Sequence, residues 1–253
     1  MRAPTMRPVL RALAFQVGFI LSIAAWAPVV LALFWLAPIS RYRVIRQWGR
    51  FTVWWLKISC GLSYEVHGRE NIPATPCVIL AKHQSTWETL AFQWIFPPHV
   101  WVLKRELLWI PLLGWGMALS QPIAIARDQK RKAIDQVIQI GCKRLAQGRY
   151  VIIFPEGTRV APGEHGRFQM GGARLAHAAA RPILPVAHNA GCFWPRRTFL
   201  KKPGVVKVVI GTAIPAQDRD PAELNALAQS WIVATTDRLE KAEDACRGAA
   251  PAR

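Results

Sequence analysis

The chain has 253 residues, with 33 Lys or Arg against 15 Asp or Glu, for a formal net charge of +18. At 52% hydrophobic and 19% charged it is too apolar for a disordered chain, and its length suits one domain better than two. The positive field attracts anionic partners, whether nucleic acid, anionic lipid, phosphorylated substrate or an acidic carrier protein, without choosing among them.

Residues 12–40 contain no Asp, Glu, Lys, Arg or His. As one helix this run would reach ~43 Å at ~1.5 Å per residue, more than the ~30 Å of a hydrocarbon core. Pro28 near its middle leaves two readings open: a kinked span, or a hairpin of two short helices that enters and leaves on one side. A cleaved signal peptide fits less well, because the run exceeds the ~7–15 apolar residues of such segments and a basic stretch follows it at once. Arg2, Arg7 and Arg11 precede the run, Arg41, Arg43, Arg46, Arg50 and Lys57 follow it, and the first acid is Glu65. This excess of basic residues places the downstream chain in the cytoplasm.

On a helix, Arg43, Arg46, Arg50 and Lys57 share one side, while Val44, Ile45, Trp48, Phe51 and Trp55 share the other. Such a helix suits the headgroup layer or a docked position on a domain, and Gly49 weakens it in either place. The expected organisation is therefore membrane-anchoring helices at 1–61, apolar over 12–40 and amphipathic over 41–59, followed by an α/β domain at 62–253.

Beyond residue 62, β-branched runs predict strands at 63–66, 77–81, 100–103, 122–126, 150–154, 183–187 and 205–210. Helices are predicted at 86–96, 129–147, 170–180 and 221–245. In the second of these, Ile134, Val137, Ile138, Gly141, Cys142 and Leu145 keep the rhythm of one buried face. Alternation of this kind predicts an α/β fold: a mixed, largely parallel sheet flanked by helices, with an N-terminal membrane-embedded helical segment. Strand order is not legible. The five cysteines (Cys60, Cys77, Cys142, Cys192, Cys246) lack the short spacing of a zinc site and the density of a disulfide scaffold, so reduced thiols are expected.

Two polar segments follow apolar strands directly. In the first, His83 precedes Glu88 by five residues, about 140° apart on a continuous helix. They can meet only if His83 lies before the helix and Glu88 in its first turn. A carboxylate beside an imidazole fixes its tautomer, as a general base requires. Ser85 and Glu88 also have capping-box spacing, a structural role compatible with the catalytic one. In the second segment, Phe154-Pro155-Glu156-Gly157-Thr158-Arg159, the glycine admits close backbone approach, the threonine offers a hydroxyl and the arginine a fork suited to phosphate.

Together these residues resemble the glycerolipid acyltransferases, in particular the bacterial 1-acyl-glycerol-3-phosphate acyltransferases. The resemblance runs from Leu80 to His188 and takes in Lys104-Arg105-Glu106-Leu107 with Pro111 and Gly114, Ile125-Ala126-Arg127, Gly172-Ala173, and Ile183-Leu184-Pro185-Val186-Ala187. The family's more usual acid is Asp where this chain has Glu88, and Gln121-Pro122 replaces a glycine-rich lead. The resemblance implies transfer of a fatty acyl group from acyl-CoA or acyl-carrier protein to the sn-2 hydroxyl of lysophosphatidate. The thioester is already activated, so no covalent nucleophile, metal or cofactor is expected. His83 and Glu88 are implied as the catalytic pair, and Arg127, Glu156, Gly157, Thr158 and Arg159 as glycerol-phosphate contacts, with Lys104 as a further phosphate contact. Pro185 is implied in acyl-donor binding or support.

The implied partners are the lipid bilayer, lysophosphatidate, and acyl-CoA or an acidic acyl-carrier protein. The implied location is a bacterial inner membrane with the α/β domain on the cytoplasmic face. Between Glu164 and Asp218, eight basic residues without an acid (Arg167, Arg174, Arg181, Arg196, Arg197, Lys201, Lys202, Lys207) suggest a charged surface. The rival readings are another lyso-lipid acceptor (lyso-ornithine lipid or a lipid A precursor), a basic membrane-tethered scaffold, and a nucleic-acid binder. No nucleic-acid-binding motif supports the last.

Overall fold

In a computed structural model, which describes residues 6–126, 130–243 and 246, the predicted strands form one seven-stranded sheet in the order β1-β7-β6-β2-β5-β3-β4. These are β1 (Leu62–His67), β2 (Val78–Ala81), β3 (His99–Lys104), β4 (Ile123–Ile125), β5 (Tyr150–Ile153), β6 (Ile183–His188) and β7 (Gly204–Ile210). Among the described strands the β6–β7 pair is antiparallel and the other pairs are parallel. The expected mixed, largely parallel sheet is present.

Burial on both faces explains why the central strands read as continuous apolar runs. Val78 and Leu80 of β2 face α5 (Lys130–Ala146), α6 (Gly171–Ala178) and α8 (Pro221–Lys241), in a cluster with Val137, Leu175 and Ile232. The alternate residues Ile79 and Ala81 face the other side, with Phe15 of α1 (Met6–Ala32), Leu56 of α2 (Pro38–Cys60) and Phe92 of α3 (Trp87–Ile95). Two short helices, α4 (Leu113–Leu119) and α7 (Ala190–Phe193), complete the set.

The N-terminal region forms a helical hairpin, and of the two arrangements left open at Pro28 the chain takes the single helix through it. Pro28 lies inside α1, and the chain turns between Ala32 and Pro38. Trp26 Nε1 donates to Val44 O, Trp48 Nε1 to Ser22 Oγ and Trp55 Nε1 to Phe15 O, at 3.2, 3.1 and 3.3 Å. These pairs run in opposite directions along α1 and α2, as an antiparallel hairpin requires. Indole donors thus zip an apolar helix to an amphipathic one.

α2 also docks on α3. A Cβ at Gly49 would lie 2.7 Å from Gln93 Cβ, so the residue that weakens the helix is the one that lets the two approach. Arg46 and Arg50 lie 4.4 and 5.0 Å from the Trp94 ring, placing part of the basic stripe against protein. The outer surface of the hairpin remains apolar, with Val17, Ile20 and Leu21 on α1 and Phe34 and Trp35 in the turn exposed. By length and composition α1 alone is able to cross a membrane among the described helices.

Two expectations are corrected. Cys192 and Cys246 are joined in a disulfide, their Cα atoms 4.6 Å apart. A sequence separation of 54 hides the meeting of α7 with the chain beyond α8. Lys201, expected on a charged surface, is only 6% exposed. Its ammonium is enclosed by Phe15, Trp194 and Phe199, 4.7 to 5.2 Å from their ring centres.

Candidate active site

β2 and β5 are neighbours and parallel, so the polar segments that follow them leave the sheet at the same edge. β3 lies beside β5 and ends in Lys104, and β4 lies beside β3. Four adjacent strands therefore present their C-terminal ends together, the usual crevice of a parallel α/β sheet. The two loops are also bonded directly, Val160 N donating to His83 O at 2.8 Å.

His83 lies before α3 and Glu88 in its first turn, the only arrangement that lets them touch. His83 Nδ1 is 2.8 Å from Glu88 Oε1. The same oxygen accepts from Gln84 N at 2.8 Å and Ser85 N at 2.7 Å, so capping and pairing with His83 are one function of a single carboxylate. Burial pushes the Glu88 carboxyl up, but His188, the hydrogen bond and charge of His83 and the Ser85 amide outweigh it, and the net direction is downward. An ionised carboxylate only accepts, so the proton of neutral His83 sits on Nδ1 and Nε2 carries the lone pair. The imidazole stacks on Phe154 with centroids 4.0 Å apart, and Phe154 stacks on Trp101.

Glu156 occupies a different place from the one implied by the family resemblance. Its side chain is fully buried, and both oxygens are engaged inside the protein, Oε1 by Lys82 Nζ at 2.5 Å and Oε2 by His83 N at 2.8 Å. It therefore fixes the segment that carries His83 and is not among the residues lining the cavity. Lys82 completes its bonding at Glu164 O, 3.0 Å away. Gly157, at φ +69°, makes the turn back to Phe154 O, a conformation disfavoured for L side chains. Thr158 is exposed.

Arg159, Lys104 and His83 line one cavity of about 310 Å³. Pro185 is buried in β6, opposite Leu80 of β2, behind the site. Arg127 lies outside the described residues.

The rest of the cavity wall is mostly apolar, with Thr86, Thr89, Gln93 and Ser120 among it, and comes mainly from segments with no motif. Phe19, Ile23 and Trp26 of α1, Trp48 of α2 and Met117 of α4 line it. The hairpin thus forms part of the site. Sequence reasoning missed these residues because an apolar residue facing a cavity has the same signature as one facing a core.

It also missed a polar layer behind His83. His188 Nε2 is 2.8 Å from Lys82 O, while Ala190 N donates to His188 Nδ1, which fixes the tautomer protonated at Nε2. Burial holds the His188 pKa below its ordinary value. Gln84 Nε2 donates to Glu240 Oε1 of α8, whose Oε2 accepts from Gly163 N at 2.7 Å. Burial raises the Glu240 pKa. His99, Nδ1 2.8 Å from Tyr42 Oη, is buried and its pKa is shifted by burial down to about 4.

A family model described as Acyltransferase matches residues 63–189. The chain is 49% identical over 210 residues to the 1-acyl-sn-glycerol-3-phosphate acyltransferase of Pseudomonas aeruginosa, spanning 80% of this chain and 82% of that one. A protein of the same name from Saccharomyces cerevisiae is 36% identical over 135 residues, 52% of this chain and 44% of its own. The crystal structure of the 1-acyl-sn-glycerophosphate acyltransferase of Thermotoga maritima shares the fold, with a TM-score of 0.79 at 22% identity over 94% of this chain and 98% of that one.

Proposed function

The chain belongs to the acyltransferase family, alongside the 1-acyl-sn-glycerol-3-phosphate acyltransferases, and from that premise we propose how its site turns lysophosphatidate into phosphatidate. The observation that carries the reading is the 2.8 Å contact of His83 Nδ1 with Glu88, which leaves Nε2 for a mostly apolar cavity that Lys104 and Arg159 also line.

His83 Nε2 takes the proton of the sn-2 hydroxyl as its oxygen attacks the thioester carbonyl. Glu88 stabilises the imidazolium that forms, and collapse of the tetrahedral intermediate expels the thiolate, which recovers the proton. Lys104 and Arg159 hold the phosphate, with Arg127 and Thr158 as further contacts, and the apolar wall takes a fatty chain. Glu156 and Gly157 shape the loop, and Pro185 backs it from β6. No cofactor is required beyond the acyl donor, acyl-CoA or acyl-carrier protein.

Residues 1–61 act as the membrane anchor and 62–253 as the acyltransferase domain, on the cytoplasmic face of a bacterial inner membrane. The exposed apolar face of α1 and the turn at Phe34 and Trp35 support this. Transfer of labelled acyl groups from both donors to lysophosphatidate, lyso-ornithine lipid and glycerol 3-phosphate tests the reading. Preference for lysophosphatidate, lost in His83→Ala, is expected.

A further inference from the structure

Arg144 and Arg149 share Gln121 and Gln147 as acceptors at the opposite edge of the sheet from His83, Arg41 is near enough for its charge to act on Arg149, and no carboxylate among the described residues pairs with them. Arg149 immediately precedes β5, whereas the 154–159 loop follows it, so four strand residues, ~13 Å at ~3.3 Å each, lie between. Arg144 is in the last turn of α5 and Arg41 in the first turn of α2, beside the hairpin tip. Arg149 is 3% exposed and Arg41 6%.

Every hydrogen-bond acceptor these three find among the described residues is neutral. Arg149 donates to Ser120 O at 3.5 Å, to Gln121 Oε1 at 3.0 Å and to Gln147 Oε1. Arg144 donates to Gln121 O and Gln147 Oε1, and Arg41 to Phe34 O. The Nε atoms of Arg41 and Arg149 are buried without a partner among the described residues. No carboxylate among the described residues pairs with any of the three. Burial, with smaller contributions in the same direction from the charges of Arg144 and Arg41, lowers the Arg149 pKa to about 10.

Buried charges are ordinarily paired, because an uncompensated one costs several kcal/mol. Two enclosed guanidinium groups and a third at their edge, with donors to spare, lack one component: an anion carrying more than one negative charge or several acceptor oxygens. A phosphate group meets that need, since guanidinium forks bind it bidentately. The approach is open, because Arg144 is half-buried and Gln147 exposed. The neighbouring turn presents Phe34 and Trp35 at 68% and 69% exposure, aromatic groups of the kind that settle at headgroup depth.

We propose that Arg41, Arg144 and Arg149 form a phosphate-binding site distinct from Lys104 and Arg159, bordering the cavity at Ser120 and joining the hairpin tip to the C-terminal end of α5. The ligand is the phosphate of a phospholipid headgroup or a free phosphate ion. The site stands on its own geometry and does not depend on the proposed reaction.

Thermal unfolding of the full chain in non-ionic detergent tests it. One arm compares sodium phosphate with sodium chloride at matched ionic strength, and the other compares micelles doped with dihexanoylphosphatidylglycerol with micelles doped with dihexanoylglycerol. At about a hundredfold excess over the dissociation constant the midpoint should rise by roughly 5–10 °C. A rise in both arms assigns free phosphate as sufficient, and a rise in the lipid arm alone assigns the headgroup. In a chain that also carries Arg159→Gln, which removes the phosphate contact of the catalytic cavity, Arg149→Gln should abolish the rise and Arg144→Gln, at a half-buried position that tolerates change, should weaken binding at least about tenfold. Arg159→Gln, at the catalytic edge, should keep the rise. Absence of a rise in both arms, a rise that survives Arg144→Gln and Arg149→Gln in that chain, or one lost in Arg159→Gln alone would overturn the site.

Discussion

Glu156→Gln removes one charge from a pair that has no water to fall back on. Both side chains are completely buried, and the carboxylate serves Lys82 Nζ and His83 N at once. The amide keeps a single acceptor oxygen, so one of these donors is abandoned and the Lys82 charge loses its counter-ion. Breaking a buried pair from one side costs about 3–5 kcal/mol, which at about 2–4 °C per kcal/mol lowers the melting midpoint by roughly 6–20 °C. Lys82→Met in the same chain removes the stranded ammonium and fills its volume with apolar atoms. The amide oxygen can then serve His83 N alone, and the double variant should recover more than half of the lost stability. Thermal unfolding followed by circular dichroism, with Glu156→Gln, Lys82→Met and the double variant side by side, reads the coupling. A double variant as unstable as Glu156→Gln, or a Glu156→Gln protein melting within a degree or two of the original, would refute the charge-pairing logic.

The Glu88 carboxyl lies below its ordinary value of 4.5 in the folded chain, so the stability it contributes is complete above that pH and drains away as pH falls through the folded value. The melting midpoint of the original chain should therefore fall more steeply below pH 4.5 than that of Glu88→Gln; parallel curves would contradict the assignment. Glu240→Gln sets a donor against Gly163 N or the Gln84 amide, and the unmatched bond should cost about 1–3 kcal/mol in denaturant unfolding. Gly116 lines the cavity, and a Cβ there meets nothing within 4 Å. Gly116→Leu should therefore fold normally and shift acyl transfer toward shorter chains, measured by competition between substrates of different length; unchanged selectivity would place the chain elsewhere.

The strands were legible because each is buried on both faces and reads as an apolar run between turn residues, as in 77–81 and 150–154. Their order was not, because register and neighbours depend on contacts between distant segments. The two motifs were each legible at the exit of an apolar run, and the structure pairs those strands, β2 and β5, directly. His83 and Glu88 were legible from a spacing that works only across a helix start. Glu156 was misplaced because its partners, Lys82 and the His83 amide, lie 74 and 73 residues away in sequence. The same distance effect concealed Glu240, the Cys192–Cys246 bond and the enclosure of Lys201. Pro28 left one kinked helix and a break between two short ones both open; the long helix absorbs the proline, and the turn at 33–37 carries Pro38 at the start of the next helix.

The most direct measurement is single-turnover acyl transfer to lysophosphatidate by His83→Ala, with the melting midpoint recorded on the same sample. Loss of the general base should slow the chemical step by about 10²–10⁴-fold while the midpoint stays close to that of the original chain. A His83→Ala protein that transfers acyl groups at the original rate would contradict the account at its centre.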